Sequence, residues 1–90
     1  MSKRILITGS SGFIGFHLSR SLALDGFEIM GIDNLNTYYN PLLKKARLNQ
    51  LKSFKNFSFN KIDISDLESL TKIFRKFNPN IVVNLAAQAG

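Results

Sequence analysis

The chain has no cysteine, no tryptophan and one histidine among its 90 residues. Without cysteine there is no disulfide framework and no thiolate metal site, a composition that fits the cytoplasm. His17 has no second ligand candidate and reads as a surface or interhelical side chain, so no metal site is expected. Long apolar runs are also missing. Nothing approaches the roughly 20 residues of a membrane span. The start, "MSKRILITG", offers only a four-residue apolar run before Gly9, where a signal peptide needs roughly 7–15. Acid is scarce: six Asp and Glu face twelve Lys and Arg, a formal charge of +6. From Tyr38 to Asn56 there is none, while Lys44, Lys45, Arg47, Lys52 and Lys55 all fall there. This stretch reads as the solvated face of a helix in preference to a nucleic-acid surface. Phe54, Phe57 and Phe59 beside it read as core.

What is present is ordinary for a small globular domain, with 44% hydrophobic residues. "RILITG" is a short apolar run closed by glycine, a buried strand. Ile14, Leu18 and Leu22 recur at helical spacing, and Gly26 suits the C-terminal cap of that helix. Phe27 to Asp33 is a second strand. Pro41 fits the first turn of a second helix, on which Leu43, Ala46, Leu51 and Phe54 share a face and Leu48 lies among the basic residues. "FSFNKID" is a third strand. A third helix follows, with Ser65 and Glu68 in the spacing of a capping box, stopped at Asn78-Pro79. "NIVVNLAA" is the fourth strand. Alternation of strand and helix predicts an α/β fold: a three-layer Rossmann-type parallel sheet, first half only, in the order 3-2-1-4.

The chemistry sits in "TGSSGFIG". Gly9, Gly12 and Gly15 lie between the first strand and the first helix. There a dinucleotide fold needs glycine for the tight turn, for approach of backbone to a pyrophosphate, and for close packing of helix on sheet. The helix start supplies free N–H groups, those of Phe13 and Ile14 among them. Asp33 ends the second strand, where an acid binds the adenosine ribose hydroxyls. Its carboxylate repels a 2′-phosphate, and Asn34-Leu35-Asn36 brings no arginine to neutralise one. The cofactor expected is therefore NAD, not NADP.

"TGSSGFIG", "DNLN", "DISD" and "NLAAQAG", in this order and spacing, resemble the extended short-chain dehydrogenase/reductases. More narrowly they are similar to NAD-dependent nucleotide-sugar epimerases and dehydratases. "DNLNTYYNPLLKKARLNQL" is most like UDP-glucuronate 4-epimerases. The resemblance covers the whole chain. It implies a pyrophosphate loop of Gly9, Gly12, Phe13, Ile14 and Gly15. It implies ribose binding by Asp33, with Asn34 and Asn36 beside it, and an adenine border of Asp63 and Ile64. Leu85, Ala86 and Ala87 would line the cofactor toward nicotinamide. Asn84 departs from the family, which often carries histidine there.

The family's catalysis needs a Tyr-x-x-x-Lys pair, whose tyrosine takes the proton of the sugar 4-hydroxyl as hydride passes to NAD. Here Tyr38 and Tyr39 are followed four residues on by Leu42 and Leu43, so the pair is absent and no catalytic residue is assigned. Residues 1–90 are expected to be the N-terminal half of an NAD-binding domain without the catalytic and substrate-binding parts. Such a portion is inactive alone and meets a nucleotide sugar only in a full-length context. The alternatives are a stand-alone Rossmann-like binding or assembly module, a nucleotide-sugar dehydratase portion, or a basic domain recruited to nucleic acid. No nucleic-acid or membrane partner is expected. The exposed edge of the fourth strand predicts a homo-oligomer.

Overall fold

The computed structural model describes residues 3–34 and 41–85. Four strands and three helices alternate: β1 (Arg4–Thr8), α1 (Phe13–Leu24), β2 (Glu28–Asp33), α2 (Pro41–Lys52), β3 (Phe57–Lys61), α3 (Leu67–Phe77) and β4 (Ile81–Asn84). The strands form one parallel sheet in the order β3-β2-β1-β4, as the alternation predicts. The path steps outward from β1 to β3, then returns across β1 to β4. Residues of α1 and α2 share one core on one face of the sheet, and the right-handed rule for parallel crossovers assigns α3 to the other.

Side-chain alternation along the strands sends Ile5, Ile7, Ile29 and Phe57 into one core with Phe16, Ala23, Leu48 and Leu51 of the helices. Leu6 and Ile32, fully buried, point to the opposite face. Asn56 ties the layers at one end, donating its amide to Ala23 O at 2.9 Å and Phe27 O at 2.7 Å. Phe54 and Phe59 pack half-buried against the core, as expected.

Three local expectations are corrected. On α1 the buried residues are Gly15, Phe16, Ser19 and Ala23, while Ile14 is exposed and Leu18 and Leu22 are half-buried flankers. Small residues face the sheet because the helix packs so close to it. On α2 the buried side chains are Lys44, Leu48 and Leu51, whereas Leu43 and Ala46 face solvent. Spacing i, i+4, i+7 puts those three on one face, and Leu48 is core, not a stray. On α3 the cap is not Ser65 but Asp66, whose side chain accepts from Ser69 N. Ser65 is instead turned back onto Asp63, donating both N–H and Oγ to Asp63 Oδ1. At the far end Asn78 takes the left-handed conformation, φ 51°, and stops the helix before Pro79.

Candidate functional site

Because the strands are parallel, the segments that follow them emerge along one edge of the sheet. The register aligns Thr8 with Ile32 and with Asn84, and Asp33 with Lys61. Reading across from β3, the edge carries Asp63 and Ile64, then Asp33 and Asn34, then the glycine loop, then Leu85. Sequence-predicted residues from four separate segments thus form one row, at the switch point where chain direction across the sheet reverses. Asn36, Ala86 and Ala87 lie outside the described residues.

The glycine loop is built as the spacing demands. Gly9 has φ 74°, the left-handed region that favours glycine. At Gly15 an added Cβ would stand 2.0 Å from Gly9 O, so no side chain fits between helix and loop. Gly12 is the N-cap of α1, with no side-chain cap. The first helical bond runs from Phe16 N to Gly12 O at 2.8 Å, ahead of which Phe13, Ile14 and Gly15 carry the amides of the first turn. No acid occupies that turn, so nothing in it competes with an anion for the positive end of the helix. Free amides at a helix start without acid are the donor set that suits a phosphate.

Gly31, in β2, was not singled out by sequence. A Cβ there would lie 2.6 Å from Ser10 Oγ and 2.7 Å from the Phe57 ring, so its bare backbone lets Ser10 settle over the strand. Gly9 N and Ser10 N both donate to Ile32 O, at 2.7 and 3.3 Å, which fastens the loop to β2. Thr8 fastens it to β4. Its hydroxyl donates to Asn84 Oδ1, and Leu85 N donates to Thr8 Oγ1 at 3.0 Å. Asn84 is therefore a partner of β1.

Asp33 is 4% exposed. Ser11 N donates to its Oδ2 at 3.0 Å, and Lys44 Nζ stands 3.4 Å from its Oδ1. Arg47, one turn beyond Lys44, donates from Nη1 to Ser11 O at 3.3 Å and lies over the Phe13 ring. The basic stretch is thus not uniformly solvated: Lys45, Lys52 and Lys55 are exposed, but Lys44 and Arg47 turn into the site. The helical phase of Lys44 with Leu48 and Leu51 was the signal in the sequence that could have shown it.

At the next strand, hydrogen bonds hold the exposed Asp63 carboxyl below its ordinary pKa: first from Ser65 N–H, then from the Ser65 hydroxyl, with a smaller contribution from Asn34. It is ionised at neutral pH. His17 is exposed on α1, with Phe13 and Phe16 at its edges. Among the described residues no group of three or more His, Cys, Asp or Glu could hold a metal ion, and no helix is long and apolar enough to cross a membrane.

Sheet order and glycine loop define the class: the first half of a Rossmann-type dinucleotide fold. Residues 6–90 match the GDP-mannose 4,6 dehydratase family, and the chain belongs to that family. It is 46% identical to protein CapI of Staphylococcus aureus, over 97% of this chain and 26% of that protein. It is 44% identical to the UDP-glucuronate 4-epimerase of Thermodesulfobacterium geofontis, over 94% and 26%. The UDP-glucuronic acid 4-epimerase of Bacillus cereus, solved in complex with NAD, superimposes with a TM-score of 0.84 at 32% identity, over 97% of this chain and 28% of the other. The chain therefore spans about a quarter of the length of these relatives.

Proposed function

We propose that this chain forms the NAD-binding portion of a UDP-sugar 4-epimerase acting on uronates. The observation that carries the reading is the order across the sheet edge. Asp63 with Ile64, Asp33 with Asn34, the glycine loop, and Leu85 succeed one another as adenine, ribose, pyrophosphate and nicotinamide do along a dinucleotide. The amides of Phe13, Ile14 and Gly15 receive the pyrophosphate, and Gly9, Gly12 and Gly15 give it room. Asp33 takes the ribose hydroxyls. Asp63, ionised, accepts from the adenine amino group. Asn36, Ala86 and Ala87 complete the set by position. When bound, NAD supplies the hydride acceptor, and this chain's residues hold and orient it.

The chain contributes no catalytic residue of its own, because its sequence holds no Tyr-x-x-x-Lys. Its nucleotide sugar belongs to a full-length context. By itself it associates with further copies through the outer edge of β4, which no described strand pairs. Calorimetry with NAD at physiological salt tests the cofactor. Binding in the micromolar-to-millimolar range, lost in Gly12→Val, is the expected result; silence to several millimolar would contradict it. UDP-glucuronate should give no turnover. Concentration-dependent mass in light scattering is expected, and a monomer at all concentrations would remove the edge from the account.

A further inference from the structure

Residues following Asp33 in sequence bring no cation to a 2′-phosphate, but the fold brings two from α2. Lys44 and Asp33 form an ion pair at 3.4 Å with side chains 10% and 3% exposed. Arg47 reaches Ser11 O at 3.3 Å, and Ser11 N is the same residue's donor to Asp33 Oδ2. Arg47 and Asp33 therefore meet at one loop residue, Ser11, and Lys44 joins them through Asp33. Asp63 and Asp66, the acids of the neighbouring segment, are engaged by Ser65 and Ser69.

We propose that Lys44 and Arg47 form a latent 2′-phosphate site that the Asp33 carboxylate alone keeps closed. The inference rests on the reading of Asp33 as the ribose-binding acid. With the carboxylate present, Lys44 is neutralised and a phosphate beside Asp33 meets like charge. With it removed, a buried ammonium is left without that partner, a costly state, beside a guanidinium and a backbone N–H. An ammonium, a guanidinium suited to bidentate contact and an amide are the donors that bind phosphate. Cofactor choice would then turn on one charge, without any arginine being introduced.

The test compares 5′-AMP with 2′,5′-ADP, which differ only in the 2′-phosphate. Binding is followed by calorimetry and by thermal midpoint in circular dichroism. Asp33→Ser should gain roughly tenfold or more in affinity for 2′,5′-ADP over the wild type, and little for 5′-AMP. The gain should shrink at high salt and vanish in Asp33→Ser combined with Lys44→Met. Arg47→Ala in the same background should remove part of it. Asp33→Asn, which keeps an acceptor for Ser11 N–H, serves where the serine variant is unfolded; 2′,5′-ADP should raise its midpoint by mass action. No gain in either variant, or a gain that survives Lys44→Met, overturns the inference. NAD binding by the wild type without that gain defeats the latent site and leaves the proposed function standing. The gain without wild-type NAD binding does the reverse, and neither effect defeats both.

Discussion

Two regions of the described structure are built to different standards. β1, β2 and β3 with α1 and α2 hold every buried apolar side chain among the described residues, from Ile5 to Phe57. α3 and β4 hold none: β4 reads exposed, exposed, half-buried, exposed, and α3 has no buried residue. Yet α3 is the most sharply two-faced of the three helices. Leu70, Ile73 and Phe77 are half-covered, while Leu67 and Phe74 stand in solvent. Pattern tells what a helix requires; burial depends on whether a second layer is there to meet it. The proposed site straddles the boundary, with its glycine loop and Asp33 in the well-packed region and Leu85 in the thin one.

The comparison breaks most sharply at Gly15. Gly15→Ala places a methyl against Gly9 O at 2.0 Å, and backbone at both positions must shift. We expect a loss of about 3 kcal/mol or more, seen as a fall in urea midpoint, with the cradle disrupted besides. Gly26→Ala is the control. It meets nothing within 4 Å and is strained only by φ 90°, so it should cost about 1–2 kcal/mol.

Next comes a matched pair across the boundary. Leu51→Ala, fully buried, should cost about 2–5 kcal/mol. Phe74→Ala, at 39% exposure, should cost under about 1 kcal/mol despite removing the larger side chain. Equal costs would mean that α3 is anchored as firmly as α2. Native-state hydrogen exchange sharpens the same contrast: strand amides of β1 and β2 should open only with global unfolding, and those of α3 well below it.

The smallest effect is electrostatic. Serine hydrogen bonds hold Asp63 and Asp66 below their ordinary pKa, Ser65 for the first and Ser69 for the second. For a depressed carboxyl the contribution is complete above its unfolded pKa, about 4, and is lost as pH falls through the lower folded value. Amide protection at Ser65 and Ser69, taken relative to the intrinsic exchange rate at each pH, should therefore fall only below about pH 4, and Asp66→Ala should lower the protection of Ser69 at any pH. Protection that is flat down to full protonation would show that these bonds do not order the start of α3.

Much of this was legible from sequence because local signals agreed with the global fold. Strand and helix alternation gave the sheet order, and strand–loop–helix spacing put Gly9, Gly15 and Asp33 on one edge. What was missed depended on distance in the chain. Lys44 follows Asp33 by eleven residues, and only the phase of α2 set by Leu48 distinguishes it from a solvated cation. Gly31 is unremarkable within a strand until Ser10 and Phe57 crowd it. The α1 stripe was misphased because leucine weighs more than glycine or serine in any hydrophobic pattern, while close packing against the sheet selects the small residues. Ser65 with Glu68 matched a capping box, but Asp66 was one residue nearer the helix and captured Ser69 N.

The most direct measurement of the central claim is a nitrogen–proton correlation spectrum of the 90-residue chain during titration with NAD. The account predicts that the moving amides are those of Gly9 to Phe16, with Asp33, Asn34, Ile64 and Leu85, while the C-terminal turn of α1 and the outer face of α3 stay still. Saturating NAD that moves only α3 and β4, or nothing at all, would contradict it.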